Sequence, residues 1–405
     1  MSKIKVLVLP SDRTGVGKFR SVEPHIFLQQ SKPEDFHVDI DYEPRINDLN
    51  YWKQYDMVHF HRSIGRDPIA SVETIKKLNE LGIVTVMDLD DYWLPTKDHP
   101  AHNLVVRNEL HKKIIENLRV AQYVTTTTSI FADEIKKINK NVFILPNAIN
   151  PNEPQFKAET QPSDKLRFGW LGGSSHLEDL KLLDGTFGKL NSVKDKYRLY
   201  LCGFDIRGSV TEINPQTGEQ KQRTIKPHET VWYNYEKIFT NNYKLVTPEH
   251  KDFLEKFTPN ESYTLEEDPF YTRVWTEPVT SYAKNYANFD VSLAPLKNHI
   301  FNRVKSQLKV IEAGFYKKAL IASDIGPYTI DLKHSLQNGN FVDGNALLVK
   351  ENRNHSDWSK FMKKLIDNPS WVEDLGERLY ETVSKTYDLN IVTETRAQIY
   401  KEITK

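Results

Sequence analysis

Four stretches of this chain gather residue types suited to a phosphorylated, hydroxyl-rich ligand. The densest is residues 298–324, NHIFNRVKSQLKVIEAGFYKKALIASD. Read as a helix over residues 305–316, it places Arg303, Lys305 and Ser306 at the helix start, with Leu308 and Glu312 four residues apart on one face. A helix start and fixed cations both favour an anion such as a departing diphosphate. Glu312 carries the two acceptor oxygens that ribose hydroxyls need. Taken alone, these residues would be solvated charges on a surface helix.

Residues 11–20, SDRTGVGKFR, follow an apolar run. Gly15 and Gly17 allow backbone amides to approach a phosphate or sugar, and Lys18 and Arg20 add charge. The stretch lacks the third glycine of the dinucleotide fingerprint and the GK[ST] of a P-loop, so a plain β-α turn explains it about equally well. Residues 167–176, RFGWLGGSSH, repeat the arrangement. There the amides of Gly172, Gly173 and Ser174 suit a diphosphate with His176 as a donor, against the alternative of a turn with a capping serine.

Residues 87–93, MDLDDYW, set Asp88, Asp90 and Asp91 at the end of an apolar run, where open α/β sheets meet their ligands. Acids packed this densely are costly to bury. They read as groups that recognise sugar hydroxyls or stabilise positive charge developing at a sugar carbon; the alternative is one helix cap and two solvated acids. Tyr92 and Trp93 add the aromatic surface that sugar faces pack against. His99 and His102 follow, but no clear further ligand completes a metal site, and neither a metal nor a cofactor is expected.

Such groups need rigid supports. In the first 150 residues, apolar runs at 4–10, 36–42, 56–61, 83–88, 123–127 and 142–146 alternate with amphipathic stretches such as 71–81 and 106–121, which predicts a parallel sheet with helices on both faces. Residues 151–165 belong to a Pro-, Asn- and Gln-rich linker. The alternation restarts over 166–370, with strands expected at 166–171, 197–202, 289–296, 319–323 and 345–349, and helices at 177–190, 305–316 and 356–366. Residues 205–285 read as an insertion with helices of its own, since they are too long for an ordinary connection. Residues 371–405 should close the chain as one or two helices. The fold class is α/β, with two doubly wound Rossmann-like domains facing across a cleft, as 405 residues exceed what one core usually supports.

Hydrophobic residues are 39% and charged residues 27%, with 55 Lys and Arg against 55 Asp and Glu. No net field draws the chain to a polyanion, so nucleic acid is not an expected partner. The single cysteine, Cys202, forms no intramolecular disulfide and fits a reducing, cytoplasmic setting. No apolar run approaches membrane-spanning length, and the apolar start is too short for a secretory signal; peripheral membrane contact through a surface patch stays compatible with the composition.

The pattern resembles glycosyltransferase family 4, the retaining GT-B enzymes. The resemblance runs nearly end to end through GVGKFR, MDLDDYW, ILPNAINP, RFGWLGGSSHLEDL and FDVSLAPL followed by FNRVKSQLKVIEAGFYKKALIASD. It implies that Glu312 holds the donor ribose, that residues 319–326 close the nucleotide site, and that transfer is metal-independent and retaining. It also makes residues 1–150 the acceptor side and 166–370 the donor side. The family's frequent Glu-x7-Glu pair would need an acid where Val304 stands. Its usual arginine and lysine after the first strand of the second domain are replaced by Gly-Gly-Ser-Ser-His, leaving Arg303 and Lys305 to supply that charge. The Asp88–Asp91 cluster stands where the family often has a histidine.

The expected function is therefore transfer of a sugar from a nucleotide-sugar donor to a glycan, lipid-linked or protein acceptor. A nucleotide-sugar epimerase or hydrolase on the same scaffold and a non-catalytic sugar-binding protein are alternatives, as is a DNA-modifying glucosyltransferase of the same architecture, against which zero net charge argues.

Overall fold

The computed structural model describes residues 3–65, 68–205, 208–213, 220–241, 255, 270–351 and 356–405. Each half of the chain builds a six-stranded parallel sheet. The first contains β1 (Ile4–Leu9), β2 (Phe36–Ile40), β3 (Met57–His61), β4 (Val84–Leu89), β5 (Tyr123–Thr126) and β6 (Val142–Ile144), in the order β2-β1-β3-β4-β5-β6. Its central strands are continuous apolar runs because both faces are covered. On β1, Val6 and Val8 enter one core and Leu7 and Leu9 the other, as the two-residue period of a strand requires.

The second half contains β7 (Leu166–Leu171), β8 (Tyr197–Phe204), a hairpin of β9 (Ser209–Ile213) and β10 (Gln220–Thr224), then β11 (Tyr271–Trp275), β12 (Val291–Ala294), β13 (Ala319–Ser323), a short hairpin of β14 (Leu336–Gln337) and β15 (Asn340–Phe341), and β16 (Leu347–Val349). Its sheet runs β11-β8-β7-β12-β13-β16, the Rossmann order. The segment read from sequence as an insertion thus supplies a strand, β11, paired in parallel with β8. It also supplies the Val231–Phe239 helix, whose Trp232, Tyr235, Ile238 and Phe239 enter the second core. Residues 250–257 of that segment, HKDFLEKF, lie outside the described residues apart from Glu255.

The helix expected over 305–316 starts three residues late and runs over Leu308–Phe315, and a separate short helix, Ile300–Arg303, precedes it. Gln307 leaves helical geometry at ψ 33° and donates its amide to Tyr387 Oη at 2.6 Å and Asp331 at 3.2 Å. Val304, between the two helices, is fully buried and joins the hydrophobic core of the first domain. Phe19 makes the reverse crossing, from the first domain into a hydrophobic cluster of the second.

The chain crosses between the domains twice more, and the crossings hold each other. The Ile149 amide donates to Tyr387 O at 2.9 Å, and the Leu389 amide donates to Ile149 O at 2.8 Å. Between them the Ser370–Tyr387 helix packs Leu379 and Val383 on the second domain, while the Leu389–Ile403 helix returns Ala397, Tyr400 and Ile403 to the first sheet. Among the described residues, no helix is long and apolar enough to cross a membrane.

Candidate active site

Strand order reverses between β7 and β12, and ligands of open α/β sheets gather beyond the carboxyl ends at such a point. β7 runs there into Gly172, where a Cβ would stand 2.5 Å from the Trp170 ring and 2.9 Å from Lys309 Nζ. Only glycine fits. A Cβ on Gly173 would meet nothing within 4 Å, so this turn faces open space. Tyr235 holds the loop from outside: its hydroxyl accepts from the His176 amide at 2.8 Å and donates to Gly173 O at 3.2 Å.

Behind the loop, Asp179 joins the two sides of the crevice. It meets His176 Nδ1 at 2.8 Å through one oxygen and accepts from the Lys297 amide and Asn302 Nδ2, each at 2.8 Å, through the other. Burial pushes His176 down to about 4, with Lys305 and Lys309 acting in the same direction against Asp179. Lys309, four residues after Lys305, donates to Leu171 O and lies 4.9 Å from the Trp170 ring centre; burial pushes it down to about 8. Lys305 Nζ sits 5.1 Å from the Phe301 ring centre.

Lys305, Ser174 and Asp179 line a cavity of about 100 Å³ whose opposite wall is Thr96, Asp98 and His99 of the first domain. This brings Ser174 and Lys305 together between the domains with the adjoining Gly172 and Gly173 turn. It does not bring in Arg303, whose exposed guanidinium donates to Asn298 Oδ1 at 2.8 Å and is not on the cavity wall.

Four further expected site residues have partners within the protein. Glu312 is only 3% exposed, and its oxygens accept the hydroxyls of Tyr282 and Tyr286; burial pushes its carboxyl up. Ser306 faces the interface, accepting from Asn147 Nδ2 at 3.0 Å. Arg20 and Asp88, each 1% exposed, satisfy one another below the surface at 2.9 and 2.7 Å, with Thr125 on Asp88 and Leu145 O and Asn147 on Arg20. A buried pair of this kind loses about 3–5 kcal/mol when one partner is removed, so it reads as an internal strut.

The rest of the first glycine turn is also committed. The Gly17 amide donates to Asp12 Oδ1 at 3.1 Å, and a Cβ on Gly17 would stand 1.9 Å from the Asp12 carbonyl. Lys18 bridges Glu23 at 3.0 Å and Glu153 at 2.7 Å. Of the two glycines in this stretch, Gly15 is the one that faces open space.

In its place, the switch point between β1 and β3 presents a network the sequence reading missed. Asp12 accepts from Ser11 at 2.9 Å, Ser11 meets His61 Nδ1 at 2.8 Å, and His61 Nε2 meets Asp90 at 2.9 Å. Arg62 Nη2 donates to Asp90 at 3.0 Å and Asp91 at 3.3 Å. Burial would raise Asp90, but His61 and Arg62 outweigh it and hold the carboxylate well below its usual range. His61 and Arg62 stand where β3 ends, but only the strand order reveals that this end lies beside β1. Among the described residues, no group of three or more His, Cys, Asp or Glu side chains is arranged to hold a metal ion.

No protein-family model matches the chain, and no curated protein matches it. Solved structures do. Sucrose-phosphate synthase from Thermosynechococcus elongatus aligns over 100% of this chain and 99% of its own, with TM-score 0.58 and 13% identity. HepE from Anabaena, solved with UDP, aligns over 99% and 100%, with TM-score 0.56 and 12% identity. An α-glucosyltransferase solved with UDP-glucose and DNA containing an abasic site aligns over 100% and 99%, with TM-score 0.58 and 12% identity. The fold is GT-B. Its two Rossmann-like halves set the cavity of Lys305 and His99 in the cleft between them.

Proposed function

We propose that this chain transfers a sugar from a nucleotide-sugar donor to a hydroxyl-bearing acceptor. One observation carries the reading: Lys305 and Ser174, which follows the open turn at Gly173, face His99 of the other domain across one cavity, at the switch point of a GT-B fold, with Lys309 behind the turn. The turn's backbone amides and the two lysines suit a diphosphate, and fixed charge in a partly desolvated site favours its departure more than its ground state. His99 is lowered by burial and by Lys305, so it is neutral near pH 7 and can orient an acceptor hydroxyl. In transfer, the bond between the sugar carbon and the donor phosphate oxygen breaks with its electrons leaving on the nucleoside diphosphate. The acceptor oxygen bonds to the same carbon, and its proton passes to the departing phosphate. Retention and metal independence extend this reading on the strength of the family resemblance of residues 289–324, with the lysines carrying the countercharge.

The test is release of nucleoside diphosphate from a panel of UDP-, GDP- and ADP-sugars, with the product's anomeric configuration read by NMR and the assay repeated with chelator. Slow release accelerated by an acceptor, with retention, is expected. Release indifferent to every acceptor would make the chain a hydrolase or epimerase, and binding without release would make it a sugar-binding protein. Zero net charge supports a non-nucleic acceptor, so duplex DNA should not bind at roughly physiological ionic strength.

A further inference from the structure

The wall of the cavity between the domains holds a second histidine, His299, on the same side as Lys305. Lys305, His99 and His299 gather round one ring. The centre of Phe301, a residue 5% exposed, lies 5.1 Å from Lys305 Nζ and 5.2 and 6.4 Å from the ring centres of His99 and His299. The acids of this wall are already engaged: Asp179 holds His176, Asn302 and the Lys297 amide, Glu178 holds Lys181 and, at 2.8 Å, Lys297 Nζ, and Asp98 lies 3.9 Å from Lys297 Nζ.

The backbone fixes where each histidine carries its proton. The Asn302 amide donates to His299 Nδ1 at 3.2 Å, capping the Ile300–Arg303 helix, and the Ala101 amide donates to His99 Nδ1 at 3.1 Å. A ring nitrogen that accepts holds no proton, so each neutral ring bears its proton on Nε2. Burial lowers both histidines, with Lys305 acting in the same direction, which keeps the rings neutral near pH 7. Among the described residues, Lys305 Nζ and Nε2 of both histidines have no hydrogen-bond partner, and none of the three belongs to the unpaired atoms closed off from solvent. All three carry protons and need an acceptor.

We infer that His299 is a further residue binding the sugar donor, its Nε2–H joining Lys305 Nζ on the oxygens of the diphosphate. The two side chains belong to one short segment and flank the same ring, so they meet a ligand from one side. An oxyanion accepts from both. A sugar hydroxyl would bring a proton of its own, and the acids that could take it are engaged. His99 offers Nε2–H from the opposite wall; that tautomer donates to an acceptor oxygen and cannot withdraw its proton, in keeping with passage of the proton to the departing phosphate. The identity of the anion rests on the transferase reading; the set of proton-bearing atoms does not.

The two nitrogens of the ring can be tested apart, because asparagine keeps an acceptor near the place of Nδ1 and glutamine an N–H near that of Nε2. Affinities for pyrophosphate, UDP, GDP and ADP are measured by calorimetry on the full chain, His299→Asn, His299→Gln and Lys305→Met, with melting temperatures alongside. His299→Asn should melt as the unmodified chain does, since asparagine is a strong helix cap, yet bind pyrophosphate and the preferred nucleotide roughly tenfold more weakly. His299→Gln should melt lower and keep most of the affinity. Unchanged affinity in His299→Asn overturns the inference, and if Lys305→Met still weakens binding the transferase reading stands without it. Pyrophosphate binding that depends on His299 while no nucleotide binds upholds the anion site and defeats the nucleotide-sugar reading instead.

Discussion

Lys309 is a lysine held close to losing its charge. Burial lowers it to about 8, and it lies beside the turn proposed to hold the donor diphosphate. Its positive charge is present below that value and lost above it. Affinity for a nucleoside diphosphate should therefore fall as pH rises through about 8, and Lys309→Arg, whose guanidinium stays protonated, should remove the inflection. A titration of UDP affinity between pH 6.5 and 9.5 checks this; an unchanged inflection in the arginine variant would assign it to another group. The residue could be found from sequence by its spacing of four from Lys305. Arg20, Asp88 and Glu312 show the opposite difficulty. Polar residues within apolar stretches look functional, and nothing local reveals that Arg20 and Asp88, 68 positions apart, neutralise one another or that two tyrosines occupy Glu312.

At the scale of elements, the strands of continuous apolar character, such as Leu166–Leu171 and Ala319–Ser323, were legible in the sequence because burial on both faces leaves no ambiguity. β11, YTRVW, was not: its Arg273 and the polar surroundings disguise an edge strand. Nor was the order of strands, which is a tertiary property and is what brings His61 beside Ser11. The late helix start at Leu308 was hidden as well, and so was Val304 packing on the other domain. That contact has a testable consequence. Val304→Glu would bury an uncompensated carboxylate at a cost of about 3–5 kcal/mol, more than an interdomain contact is expected to withstand, so the cleft should open. The radius of gyration from small-angle scattering should rise above that of the Val304→Ala control; matching profiles would mean that Val304 does not hold the domains together.

For the whole molecule, closure depends on the C-terminal helix that returns to the first domain. There His25 and His59 are fully buried with ring centres 4.4 Å apart, and His25 Nε2 meets Tyr400 Oη at 2.7 Å. Facing them are Arg396 and Tyr400 on that helix, Arg20 on the opening turn, Asp88 on β4 and His61 on β3. Burial lowers both histidines well below their ordinary 6.5, so below that pH the unfolded chain takes up protons that the folded chain refuses. Stability should be intact above pH 6.5 and decline as pH falls from there, and His59→Phe should lessen the decline in melting temperature between pH 7 and 5.5. An identical decline in the variant would place the acid sensitivity elsewhere. The central claim, that a donor diphosphate lies between the two domains against Lys305 and Lys309, is tested most directly by calorimetry of UDP on the full chain and on the Lys305→Met, Lys309→Met double variant. The account predicts that loss of both charges weakens UDP binding at pH 7 by roughly a hundredfold, about 2.7 kcal/mol, whereas equal affinity in a folded double variant would contradict it.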